Sequence, residues 1–142
     1  MKVKTVELNF DKSENDMEML DITRPVEHSV VDSSMNSGLA VVHVITSNTC
    51  ISTMEYEPGM KNDVRRALEK LGNSVRLKSN ESSIVQINNQ KRHDSRNALI
   101  GPSITIPFRD NRVMLGIWQK IVLIDFGKNV RRRKVVLQIV GE

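Results

Sequence analysis

The sequence predicts an α+β fold in which mainly antiparallel β-sheets, packed like a sandwich, carry two amphipathic helices. Three observations lead to this class. Segments of strand character dominate the 142-residue chain, two segments have helical periodicity, and the helices interrupt the strands without alternating with them. Regular alternation would instead favour a doubly wound parallel sheet. With 39% apolar residues the chain suffices for one core, so we expect a single domain over residues 1–142.

The N-terminal third is predicted to hold two strands, a helix and a buried strand. Lys2–Phe10 alternates along its length, and a second strand is expected near Met17–Ile22. Apolar residues recur at helical spacing over Arg24–Asn36, after Thr23 as the expected N-cap. Leu39–Ile45 is a short, near-continuous apolar run, which is typical of a central strand.

The middle of the chain contains a short strand, a clear helix and a polar segment. Cys50–Met54 has strand character. The helix begins near Met60, shows one apolar stripe, and is expected to end at Gly72. Asn73–Asn97 is polar and is predicted to form either two weak strands or a long surface loop.

The C-terminal third returns to strands. They are expected at Ser103–Pro107, Val113–Asp125 and Arg132–Gly141, and the last two are expected to form a hairpin around Gly127–Asn129. The basic run Arg131–Lys134 is interpreted as a solvated corner that places charge on an edge strand.

Composition argues against several classes of partner. The net charge of +4 is mild and aromatic residues make up only 4% of the chain, so neither a phosphate-tracking surface nor a base-stacking platform is expected. No apolar run approaches the ~20 residues that span a bilayer, and the N-terminus lacks the pattern of a signal peptide. The single cysteine, Cys50, excludes an intrachain disulfide and has no basic neighbour in sequence, so we expect a core thiol in a cytoplasmic protein.

The three histidines do not predict a metal site. His28 lies in the first helix, His43 lies in the apolar strand, and His93 precedes Asp94 in the polar segment. No two of them have the spacing of metal ligands, so no metal residues are expected. Glycine-rich phosphate-binding motifs are also absent from the sequence.

A cluster of hydroxyl and amide groups follows the predicted central strand. Ser47, Asn48 and Thr49 could bind a phosphate at the strand end, or could equally form an Asx or Ser/Thr turn between two strands. Glu55 ends the next strand, and Asp63 lies one turn into the following helix. We expect these groups to form one pocket.

Several motifs together resemble the YjbQ-like family. They are Asp21-Ile-Thr23, Glu55-Tyr-Glu-Pro-Gly59 followed by Asp63, Gly101-Pro-Ser103, and Leu115-Gly-Ile-Trp-Gln119, ahead of the arginine-rich segment and the last strand. The Glu-Tyr-Glu-Pro-Gly motif resembles the archaeal branch in particular. Some members of the family are described as secondary thiamine-phosphate synthases.

The resemblance implies a small α+β domain that forms homotrimers with a polar site at the subunit boundary. Its His-Asp element falls at Ser82-Ser83 in this chain, and its later histidine falls at Asp94. We therefore predict a divergent member that keeps the fold and the trimer, and that binds a small anion or phosphorylated metabolite. The predicted ligand-binding residues are Ser47, Asn48, Thr49, His93, Asp94, Trp118 and Gln119.

The alternative function is a transferase that resembles thiamine-phosphate synthase and joins a pyrimidine diphosphate to a thiazole phosphate. Glu55 and Asp63 would be its catalytic residues, as acid and base or as ligands of Mg²⁺. Magnesium is the one cofactor that this alternative implies. In either case the apolar strands Leu39–Ile45 and Gly116–Ile124 are expected to bury part of their surface between subunits.

Overall fold

The computed structural model describes residues 1–12, 16–79 and 94–142. The strands and helices within these ranges are β1 (Lys2–Asp11), β2 (Glu18–Asp21), α1 (Thr23–Asp32), β3 (Ser37–Val44), β4 (Thr49–Glu55), α2 (Met60–Ser79), α3 (Arg96–Ile100), β5 (Ser103–Arg109), β6 (Arg112–Val113), β7 (Gln119–Asp125) and β8 (Arg132–Gly141).

The strands form two antiparallel sheets. The larger sheet has the order β1-β8-β3-β5-β6, and the smaller one has the order β2-β7-β4. Every pair of neighbouring strands is antiparallel. The predicted α+β class with mainly antiparallel sheets is therefore confirmed, and the short helix α3 adds to the two helices that were predicted.

The three-stranded sheet is the middle layer of the molecule and is covered on both faces. On one side, Ile121 and Leu123 pack with α1 and with the inner face of the five-stranded sheet, in one apolar cluster. On the other side, Val122 and Ile124 pack in a second cluster to which α2 contributes Val64 and Leu68. Burial on both faces explains why β7 is apolar along most of its length.

Helix α1 is shorter than predicted. It ends at Asp32 instead of Asn36, and Ser34 has a φ of 59°, which turns the chain towards β3. Thr23 is the first residue of the helix and not its N-cap. Asp21 stabilises the first turn of α1, because its Oδ1 accepts hydrogen bonds from the Thr23 N–H (2.9 Å) and from the Thr23 hydroxyl (2.6 Å).

Helix α2 is longer than predicted and continues through Gly72 to Ser79. Gly72 is required by packing and does not end the helix: a Cβ at this position would lie 2.7 Å from a guanidinium nitrogen of Arg96. The prediction of strands or a loop for 73–97 is therefore wrong for residues 73–79 and for the start of α3 at Arg96. Its central part, 80–93, lies outside the described residues.

The predicted strand Val113–Asp125 is confirmed over Gln119–Asp125 and wrong before it, and the hairpin predicted after it is wrong. The chain leaves the five-stranded sheet after Val113 and enters the three-stranded sheet only at Gln119. Strand β8 then returns to the five-stranded sheet, where it pairs with β1 and β3 and not with β7. The segment 126–131 is thus a connection between two sheets. No helix in the described ranges is long and apolar enough to cross a membrane.

Candidate functional site

The residues predicted to share one pocket lie at the two ends of β4. Thr49 starts this strand opposite Asp125 of β7, and Glu55 ends it opposite Gln119. Six residue steps of ~3.3 Å separate the two ends by about 20 Å. Within one chain, the hydroxyl cluster and the predicted catalytic carboxylates are therefore too far apart to contact the same small molecule.

At the first end, the hydroxyl cluster has the contacts of a turn. Asn48 adopts a φ of 57°, and its carbonyl accepts a hydrogen bond from the Phe126 N–H (2.9 Å). The buried Thr49 hydroxyl donates to the carbonyl of Thr46. The Oδ1 atom of Asn48 accepts a hydrogen bond from the Asp94 N–H (2.8 Å), so Asn48 and Asp94 are in direct contact.

At the other end, the predicted catalytic and pocket-wall residues are exposed, apart from the partly buried Gln119. Glu55 is exposed, and the exposed carboxylate of Asp63 forms an ion pair with Arg66 on the same helix. Gln119 donates a hydrogen bond to the Thr53 hydroxyl (3.2 Å). The Trp118 side chain is 58% exposed.

Beside the hydroxyl cluster lies a buried set of charges that we call the Asp125 cluster. The Asp125 carboxylate contacts Arg131 (2.7 Å), Arg133 (3.3 Å) and Lys12 (3.7 Å), and Arg133 also contacts Glu18 (2.9 Å). The interpretation of the basic run as a solvated corner is wrong for Arg133, whose side chain is fully buried, and for Arg131, which is 24% exposed. Two carboxylates of the other sheet, Asp125 and Glu18, offset most of this positive charge.

The Asp125 cluster joins the two sheets. Lys12 follows β1, and Arg133 belongs to β8 of the five-stranded sheet, whereas Glu18 and Asp125 belong to β2 and β7 of the three-stranded sheet. Lys12 also donates to the carbonyl of Gly127. Burial lowers the pKa of the Lys12 ammonium, and the neighbouring Asp125 opposes this shift. The cluster fixes the crossing of the chain between the sheets.

Asp94 and Arg96 form a second ion pair behind the hydroxyl cluster. Two nitrogens of the guanidinium donate to the two carboxylate oxygens (2.9 and 2.7 Å), and the third donates to the carbonyl of Leu68 (2.7 Å). The guanidinium also lies 4.2 Å from the ring centroid of Phe126. Arg96 is 6% exposed, so this pair is a fixed wall that connects α2, α3 and the segment just after β7.

Cys50 is a buried free thiol, as predicted. Burial, reinforced by the Asp94 carboxylate, raises the pKa of the Cys50 thiol to about 12. A thiol in this state is not a nucleophile at neutral pH.

A cleft of about 390 Å³ opens on the outer side of the Asp94–Arg96 wall, between one face of α2 and the ends of β2 and β7. Its charged and aromatic lining residues are Asp16, Arg65, Glu69, Arg96, Phe126 and Lys128. Sequence reasoning missed this cleft, because its lining comes from separate segments that carry no motif. The one available signal was the spacing of Arg65, Glu69 and Asn73, which share a face of α2.

The predicted ligand-binding residues lie at different positions around this cleft. Asn48 and Asp94 lie behind its wall and reach it through Arg96. Ser47 accepts hydrogen bonds from Arg131 through its carbonyl (2.6 Å) and its hydroxyl (3.4 Å). His93 lies outside the described residues, as do Ser82 and Ser83. Among the residues that the structure describes, no group of three or more His, Cys, Asp or Glu side chains is arranged to hold a metal ion.

The fold and the cleft define a small two-sheet α+β protein with a polar cleft beside its second helix. Residues 6–142 match the family model described as UPF0047 protein YjbQ-like, and the chain belongs to this family. It is 28% identical over 130 residues to a UPF0047 protein of Methanocaldococcus jannaschii, covering 88% of this chain and 86% of that protein. A UPF0047 protein of Archaeoglobus fulgidus is 28% identical over 131 residues, covering 88% and 94%.

Solved structures agree with the fold. A YbjQ-like protein of unknown function from Sulfolobus solfataricus superposes with a TM-score of 0.84 at 24% identity, covering 99% of each chain. A hypothetical protein from Aeropyrum pernix gives a TM-score of 0.78 at 24% identity, covering 98% of this chain and 99% of its own. The predicted membership of the YjbQ-like family is thereby confirmed, and so is its likeness to archaeal members.

Proposed function

We propose that this chain binds a small anion or a phosphorylated metabolite in the cleft beside α2. The observation that supports this function is the pairing of a cleft of about 390 Å³ with the cationic side chains of Arg65 and Lys128 in its lining. The volume falls within the range of roughly 300–1,000 Å³ that is typical of small-molecule sites. A guanidinium and an ammonium are the side chains that most often bind phosphate groups.

Arg65 is held at the cleft by part of its hydrogen-bonding capacity. One guanidinium nitrogen donates to the carbonyl of Met17 (2.8 Å), which lies just before β2. A guanidinium has five N–H donors, so most remain for a ligand. Arg96 differs, because each of its three nitrogens already donates to Asp94 or to the carbonyl of Leu68 and its side chain is buried. The anion is therefore expected on Arg65 and Lys128.

Calorimetry and thermal shift with inorganic phosphate, pyrophosphate and thiamine phosphate test this function. At least one of them should raise the unfolding temperature, because a ligand that binds only the native state stabilises it. Lys128→Gln should weaken the affinity by about tenfold, the effect of one charge-assisted hydrogen bond. Lys2→Gln is the matched control, since it removes an exposed lysine from the far end of β1. If none of the three ligands raised the unfolding temperature, the result would contradict the proposal.

The transferase alternative requires a different arrangement. Its proposed acid–base or Mg²⁺-binding residues, Glu55 and Asp63, lie at the end of β4 remote from Asn48 and Asp94. We expect no thiamine phosphate from the pyrimidine diphosphate, the thiazole phosphate and Mg²⁺ above the background rate. Turnover that Glu55→Gln abolishes would instead support the transferase.

The assembly that accompanies this function is proposed to be a cytoplasmic homotrimer. The family resemblance is its first support. The second is the exposed apolar surface on the outer face of the five-stranded sheet, where Leu39 is 48% exposed and Val3 is 61% exposed. The buried thiol of Cys50 is compatible with a reducing compartment. Of the two strands expected to supply the interface, β7 is covered within the chain, so β3 and its neighbours remain as candidates.

A further inference from the structure

We infer that the ligand of the cleft beside α2 carries a positive charge as well as a negative one, as a phosphorylated amine does. This inference rests on the proposed function and narrows its ligand class. Besides Arg96, which is already paired with Asp94, the cationic side chains of Arg65 and Lys128 line the cleft, together with the carboxylates of Asp16 and Glu69. In a site for a simple anion, the two carboxylates would only repel the ligand.

Each wall of the cleft presents one charge of each sign. On the helix wall, Arg65 and Glu69 are four residues apart and lie on the same face of α2, with Cβ atoms about 5–6 Å from each other. On the opposite wall, the antiparallel register pairs Glu18 with Asp125, and the chain continues outward from this pair to Asp16 on one side and Lys128 on the other.

These four side chains form no ion pair with any residue in the described ranges, although their neighbours do. Asp63 pairs with Arg66 one turn before the cleft on the same helix, and Asp94 pairs with Arg96 in its wall. Arg65 and Glu69 have a spacing at which such pairs form readily, yet they do not contact each other as an ion pair. Both signs of charge are thus available to a ligand.

The chemistry of the ligand follows from this arrangement. A phosphate group bound by Arg65 and Lys128 would lie close to two carboxylates, whose repulsion lowers its affinity. A ligand that also carries an ammonium group offers three N–H donors to Asp16 and Glu69, which turns the repulsion into attraction.

Two ligands of nearly equal size test the inference. Phosphoethanolamine and ethyl phosphate differ by one amino group, and calorimetry on the full chain gives the affinity of each. Phosphoethanolamine should bind roughly tenfold more tightly, the ratio expected from one charge-assisted contact. Glu69→Gln should reduce that ratio, and Glu69→Gln together with Asp16→Asn should bring it to about one, without weakening ethyl phosphate. Glu57→Gln, which removes an exposed carboxylate outside the cleft, should leave the ratio unchanged.

The outcomes separate the inference from the proposed function. Equal affinities, or tighter binding of ethyl phosphate, would overturn the zwitterionic ligand and leave the anion site in place. The same conclusion would follow if inorganic phosphate bound to the protein and neither organic ligand did. Absence of binding for all three compounds would overturn the inference together with the proposed function. Glu69 is exposed, so the variant is expected to fold, and circular dichroism checks this.

Discussion

At the residue scale, Asp125 makes ion pairs with three basic side chains, more than any other ionisable residue in the described ranges. Its buried carboxylate contacts Lys12, Arg131 and Arg133, which have few other acidic partners. Asp125→Asn would remove the counter-charge of Lys12 and Arg131 and leave Arg133 with Glu18 alone, and loss of one partner from a buried pair costs about 3–5 kcal/mol. Urea denaturation should show a loss of unfolding free energy in this range.

The control for Asp125→Asn is Asp11→Asn. Asp11 pairs with Arg132 on the surface, with side chains that are 79% and 69% exposed. Exposed pairs contribute about 0–1 kcal/mol, so this variant should be close to the wild type. Equal effects of the two substitutions would contradict the role given to the Asp125 cluster.

Cys50 gives a second test at this scale. Burial raises the pKa of its thiol from 9.0 to about 12, so the native state keeps a proton that the unfolded state loses above pH 9.0. The stability that Cys50 contributes is therefore present below pH 9.0 and is lost as the pH rises towards the native value. A thiol reagent at neutral pH should label the unfolded chain rapidly and the native chain slowly. Rapid labelling of the native protein would contradict this burial.

The sequence predicted some single residues well and others badly, for a physical reason. A lone cysteine among β-branched residues is expected in a core, and Cys50 is buried. Four consecutive basic residues are expected in solvent, yet Arg133 is fully buried. Burial of a charge depends on counter-charges that are distant in sequence, and here Asp125 and Glu18 come from another sheet.

At the scale of elements, Gly72 couples α2 to the wall of the cleft. In an isolated helix, Gly→Ala is stabilising by about 1 kcal/mol. Here the added methyl group would lie 2.7 Å from the guanidinium of Arg96, which is fixed by Asp94 and Phe126. Gly72→Ala should therefore lower the unfolding free energy, as measured by urea denaturation.

A double-mutant cycle separates this clash from a general effect on the helix. In an Arg96→Gln background, Gly72→Ala should be neutral or stabilising, because the shorter side chain leaves room for the methyl group. The same loss of stability in both backgrounds would show that Arg96 is not the reason for the glycine.

The sequence located most elements but not their partners. Alternation and apolar runs predicted β1, β3, β5 and β8 closely, because the side-chain period is a local property. The same signal could not show that β7 and β8 belong to different sheets. Strand pairing depends on non-local contacts, and here the buried charges fix the crossing between the sheets. The predicted end of α2 at Gly72 failed in the same way, because a packing glycine and a terminal glycine look identical in sequence.

At the scale of the whole molecule, we predict a homotrimer. The exposed apolar residues of β1 and β3, including Val3 and Leu39, lie on a sheet face that no helix covers in the described residues. Light scattering at micromolar concentration should give about three times the chain mass of 16.1 kDa. Leu39→Lys should reduce the trimer, whereas Lys2→Gln should not. A monomer at this concentration would contradict the prediction.

The site was harder to predict than the fold. The hydroxyl cluster and the carboxylates of β4 lie within eighteen residues of sequence, from Thr46 to Asp63, but an extended strand separates them. The cleft, in contrast, takes its lining from segments that are more than fifty residues apart, such as Arg65 and Lys128. Only the register of β2 with β7 and the packing of α2 bring these segments together.

The most direct test of this account is to locate the bound anion. Inorganic phosphate titrated into isotopically labelled protein should shift the amide signals of the cleft, led by Lys128, Phe126 and Arg65. The signals of Glu55 and Trp118, at the remote end of β4, should not move. Shifts confined to Glu55, Asp63 and Trp118, or no shifts at saturating phosphate, would contradict an anion site beside α2.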